Sequence, residues 1–264
     1  MNPVAYAPME LGWIGLSVFL LGMAKGGVPV GTVALPILIL IWPVEHQAGR
    51  AAVAFVLPLL CIMDIFAIAF FRKYILWKHI RPLLPSTLLG VVVASMLFVS
   101  SEQALLAVSD RTLKTCIGVL GLLFVAYQAM RRWILHRLAE AALPPGLQHI
   151  LFGIGAGLTS TLAHAAAPLM QMYLLPKRLD RLNFAGTMAG FFFLLNLIKL
   201  LPFAALGRFN MPDLALGLML VPLIPLGVAT GFLIVRSCKT RVYIGFIYTI
   251  LFVTSVTLLI KAWS

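Results

Sequence analysis

The sequence predicts an all-α integral membrane protein. The bundle is expected to hold two inverted repeats, each with one broken or re-entrant helical segment plus three spans. Three observations predict it: too little charge to face water, eight apolar segments of spanning length, and a glycine-interrupted, overlong segment opening each half. Of 264 residues, 62% are hydrophobic and 11% charged, and the mean hydropathy is +1.04. A soluble domain carries roughly 25% charged residues, so lipid must solvate most of this chain. A soluble enzyme, a secreted disulfide scaffold and a disordered protein are excluded.

Uncharged stretches able to cross about 30 Å of hydrocarbon fall at 11–42, 49–71, 80–99, 113–130, 147–175, 183–206, 212–235 and 241–260. The first is overlong and interrupted by Lys25, Gly26, Gly27, Pro29 and Gly31. The fifth is overlong too, with Gly153, Gly155, Gly157, Thr159, Ser160, Thr161 and His164 at its centre and Pro168 beyond. Each opens a set of four, which suggests duplication into 1–138 and 139–264, together one transport unit. Pro36 with Pro168 and Asp64 with Asn196 share an offset of 132, and Gly90 matches Gly227 at 137. No basic n-region precedes the first segment, so it is expected to stay in the mature chain.

Net charge is +12. In a membrane protein, Lys and Arg collect on short cytoplasmic loops, and no basic stripe with interleaved aromatics suggests nucleic acid. Setting aside Lys25 and Lys199, eight single crossings would divide the other 18 basic residues 9 to 9. If segments 1 and 5 instead enter and leave by one face, the division is 13 to 5. The regions 72–81, 131–147, 176–182 and 236–241 are then cytoplasmic and both termini lie outside. Each half crosses an odd number of times, which makes the halves inverted copies, an architecture of transporters. A kinked single span is the plain alternative.

Four ionisable side chains remain deep in the segments: Lys25, Asp64, His164 and Lys199. A Lys or Asp at the centre of a spanning helix costs about 2.5–3.5 kcal/mol on insertion scales, so these residues should line an interior and find partners. Two cations against one acid favour an anionic substrate. A helix restarting at depth has orphan N–H groups and a positive dipole end. Gly26 and Gly27 would let an anion approach the backbone, and Thr159, Ser160 and Thr161 offer hydroxyl donors. Asn196 lies on the same helical face as Lys199. The expected substrate-binding set is therefore Lys25, Gly26, Gly27, Thr159, Ser160, Thr161, His164, Asn196 and Lys199, with Asp64 as the coupling group. Snorkelling lysines, a structural Lys25–Asp64 pair and a helix-capping role for 159–161 are the bland readings.

Cys61, Cys116 and Cys238 show no metal or disulfide spacing. No HExxH, paired carboxylates or GxSxG occurs, which argues against an intramembrane enzyme. No cofactor or metal is expected. A passive anion channel is the alternative that composition leaves open.

GMAKGGVPVGTVALP and the following LPLLCIMDIFAIAFFRKYILWKHIRPLLPSTLLG resemble the sulfite exporter TauE/SafE family, the toluene-sulfonate uptake permeases. In the second half, GLTSTLAHAAAPLMQMYLLPKRLDRLNFAGTMAGFFFLLNLIKLLP is similar to it as well. Ala167 stands where that family has Gly. The resemblance implies transport of sulfite or organosulfonates across the bacterial inner membrane, with a proton or sodium ion as the coupling partner.

Overall fold

The computed structural model describes residues 8–28, 30–42, 48–99, 144–164, 166–174, 179–207 and 211–237, with isolated positions elsewhere. The expected spans 113–130 and 241–260, and the loop 131–147 up to residue 143, lie almost wholly outside the described residues. Every regular element among the described residues is helical. They are α1 (Pro8–Lys25), α2 (Gly31–Ile41), α3 (Ala48–Phe71), α4 (Trp77–Ile80), α5 (Leu84–Val99), α6 (Pro145–Ala163), α7 (Ala167–Leu174), α8 (Arg181–Ala205), α9 (Met211–Leu220) and α10 (Leu223–Ser237).

Three described stretches are long and apolar enough to cross a membrane: Ala54–Tyr74, Trp77–Met96 and Arg181–Ala205. The apolar stretch over 212–235 predicts one segment, but the structure divides it into α9 and α10 with a 52° bend. Pro222 stands at the break, where it lacks an N–H and crowds the preceding turn. The pair makes a fourth span if counted together. The connector 72–81 also departs from a plain loop. Short helical turns bury Ile80 and Leu83 there, and the Leu76 N–H donates to Thr187 Oγ1 at 3.1 Å.

Three helix pairings dominate: α1 with α10, α5 with α6, and α3 with α8. Each joins a helix before residue 138 to one after it. Lipid offers no hydrophobic drive between helices, so close approach depends on small residues. A methyl on Gly26 would come within 2.7 Å of Gly231 Cα, and one on Gly22 within 3.2 Å of Gly227 Cα. On α5 and α6 the corresponding contacts are Gly157 against Gly90 and Gly153 against Ser86. Both pairs therefore run parallel along small-xxx-small ridges. Leu88, Leu89, Val92, Val93 and Met96 on α5 are exposed, as a lipid-facing stripe should be.

Two buried apolar clusters result. One gathers α1, α2, α3, the end of α8, α9 and α10; the other gathers the 80–83 turn, α5, α6, α7 and the middle of α8. Asp180 caps α8 by accepting from the Leu182 and Asn183 N–H groups, each at 3.0 Å. The Asn183 backbone bond, the largest influence, helps hold the Asp180 carboxyl below the usual carboxylate range.

Candidate functional site

The first break follows from its glycines. Gly27 takes φ +99°, its N–H bonds the Ala24 carbonyl at 3.1 Å, and the Val28 N–H reaches Met23 at 3.3 Å. This is a Schellman ending, which needs a residue that tolerates left-handed backbone. The chain restarts at Gly31 with Val30 as N-cap, which supplies no side-chain cap. In the second break the left-handed position is His164 (φ 49°), whose N–H bonds the Ser160 carbonyl at 3.0 Å. A side chain with a Cβ is uncommon there and marks a constrained position.

Both breaks face one cavity of about 150 Å³. Lys25, Gly27, Val28 and Gly31 form one wall, and Ser160, His164, Ala167 and Gln171 another. α8 contributes Phe184, Ala185, Met188, Ala189, Phe192 and Asn196. These lie along one helical face over roughly 18 Å at 1.5 Å per residue. Val56 and Leu60, both in the larger apolar cluster, also line it.

Two polar groupings flank the cavity. Lys25 Nζ lies 2.5 Å from Asp64 Oδ1 and 5.1 Å from the Phe192 ring centroid, a cation–π arrangement. Asp64 is wholly buried, and its second oxygen accepts from Asn196 Nδ2 at 2.7 Å. Lys199, also wholly buried, has its ammonium 2.8 Å from Ser160 Oγ, 3.2 Å from the Ser160 carbonyl and 2.9 Å from His164 Nδ1. Three acceptors match its three N–H donors. Where Lys199 donates to Nδ1, the proton of a neutral His164 resides on Nε2; where Lys199 is an amine, Nδ1–H donates instead.

The structure brings together Lys25, Gly27, Ser160, His164 and Asn196 on the cavity, with Asp64 and Lys199 directly behind. Three expected residues stand elsewhere. Gly26 packs on α10. Thr159 and Thr161 donate to the Gly155 and Gly157 carbonyls, each at 2.8 Å, so their hydroxyl hydrogens serve their own helix. Sequence reasoning missed Gln171 and Phe192. Gln171 carries a legible signal, an amide inside an apolar run; Phe192 sits among three consecutive phenylalanines and has none. Among the described residues no His, Cys, Asp or Glu cluster could hold a metal ion.

The family profile described as Sulfite exporter TauE/SafE matches residues 14–258. The chain belongs to this family. TauE/SafE proteins are membrane transporters, and the apolar helices of this member fit that setting. No curated protein and no solved structure matches the chain individually.

Proposed function

We propose that this TauE/SafE protein moves sulfite or a short organosulfonate across the bacterial inner membrane by alternating access. The observation that carries this reading is the convergence of both helix breaks on one cavity, with Lys25 on its wall and Lys199 one hydrogen bond behind it. Two ammonium groups face one carboxylate there, and the restarting ends of α2 and α7 add positive dipole ends. The apolar remainder of the wall suits a short carbon tail. Asp64 would gate access to Lys25: it competes with the anion for that ammonium and reclaims it on release.

Inverted repeats are supported by the helix pairings. Exchanging α1 with α6, α5 with α10 and α3 with α8 maps the three dominant contacts onto one another. Asp64 and Asn196, matched by the sequence offset, touch each other as residues near a two-fold axis would. Gly90 and Gly227, matched likewise, each pack on the broken helix of the other half. The lining of the cavity extends from Phe184, near the Arg181 end of α8, to buried Val56 and Leu60. Helix breaks before and after residue 138 that converge on one pocket support a carrier over a passive channel.

Reconstituted protein tests the reading. Sulfite or isethionate should show saturable uptake and counterflow exchange in proteoliposomes. Large single-channel currents would select the passive channel, and absence of flux for every sulfur anion would overturn the substrate class.

A further inference from the structure

We propose that Lys199 and His164 form a proton-accepting pair that couples anion binding in the cavity to the uptake of one proton. This rests on the anion-carrier reading and adds a mechanism to it.

The geometry is a buried ammonium whose N–H groups meet Ser160 twice and His164 Nδ1 once. His164 lines the cavity, whereas Lys199 is sealed behind it. In this proposal the pair carries one positive charge while the site is empty: ammonium with neutral imidazole, or amine with imidazolium after the proton shifts across the 2.9 Å contact. A second proton, taken from water, would bind the remaining lone pair and leave two cations facing each other. Without a counter-charge that state is strongly disfavoured.

An anion in the cavity supplies the counter-charge. The balance is one anion and one proton in, with no bond broken other than the hydrogen bond between Lys199 and Nδ1. The other ionisable groups do not provide it. From α1, Lys25 is paired with Asp64 of α3, so that wall is neutral in sum. Cys61 of α3 is buried. α2 carries no ionisable side chain, and α7 brings only uncharged Ala167 and Gln171 to the cavity, its Tyr173 hydroxyl donating to the His79 carbonyl. On α10, Arg236 lies at the exposed end. His164 is the titratable group that both touches the cavity and bonds the buried cation.

Isethionate is the cleaner probe because it does not titrate near neutral pH; with sulfite, the ligand's own proton is subtracted. Calorimetry of wild-type protein in buffers of different ionisation enthalpy should give close to one proton taken up per anion bound. Affinity should fall by up to tenfold per pH unit as pH rises through the titration. His164→Asn keeps an acceptor near the Nδ1 position and tolerates left-handed backbone. In that variant proton uptake should vanish, with affinity held at the weaker high-pH level of the wild type. Anion binding by wild type without proton uptake would overturn the coupling while leaving the anion site intact. So would a His164→Asn protein that still takes up a proton. If neither isethionate nor sulfite binds to wild type, the anion reading itself has failed.

Discussion

At the scale of single residues, the two lysines are held differently, and that difference makes their roles separable. Lys25 shares Asp64 with Asn196 and faces the cavity, whereas Lys199 is enclosed by Ser160 and His164. Removing Lys25 alone strands a buried carboxylate, a loss worth roughly 3–5 kcal/mol when one partner of a buried pair goes. Lys25→Met is therefore expected to unfold more easily than wild type. The double variant Lys25→Met with Asp64→Asn should recover most of that stability but not anion binding, which should stay about ten- to a hundredfold weaker. Melting curves and anion titrations on the three proteins check this. Recovery of both properties in the double variant would make the pair purely structural. The four deep ionisable groups were legible in the sequence because charge in an apolar run is conspicuous. The hydrogen bonds of Thr159 and Thr161 to their own helix were not, since a hydroxyl's choice of acceptor leaves no mark on residue order.

At the scale of helices, glycine does two jobs that sequence alone runs together. Gly27 turns the chain with a positive φ, whereas Gly26, one residue earlier, admits the backbone of α10. Both were expected to receive the anion, because a glycine cluster signals close approach without naming what approaches. The breaks themselves were legible from the same cluster, as was the end of α3 at Phe71. The bend between α9 and α10 was missed because an apolar stretch that contains proline still reads as one span. The packing role makes a sharp prediction. Gly26→Ala and Gly157→Ala push a methyl into the backbone of the facing helix, which no rotamer change relieves, and each should destabilise by about 1–3 kcal/mol. Gly12 on α1 has nothing within 4 Å of an added methyl, so Gly12→Ala should be neutral or stabilising by up to ~1 kcal/mol. Thermal unfolding in detergent ranks the three. Equal effects at all positions would remove close helix approach as the reason for Gly26 and Gly157.

At the scale of the whole molecule, the order of features suggested a duplication, whereas nothing in that order gave the pairing of helices. Contact between α1 and α10, or between α5 and α6, depends on which small-residue ridges meet once the chain is folded. Those pairings leave a cavity whose lining reaches from Phe184 of α8 to Val56 and Leu60 in the larger apolar cluster. A carrier in this state should admit reagents from one face only. In a background lacking Cys61, Cys116 and Cys238, a cysteine at Ala185 should react with a membrane-impermeant maleimide from the face that carries 177–181, and sulfite should slow it. Leu59, buried beyond the cavity where it meets Gly217 of α9, should stay silent as a cysteine at rest. It should become reactive from the opposite face while substrate is being transported, because alternating access must open the apolar cluster there. Reaction of the Ala185 cysteine from both faces without substrate would mean a continuous pore, and the channel would replace the carrier. If the Leu59 cysteine stays silent during measured transport, the moving gate lies elsewhere in the bundle.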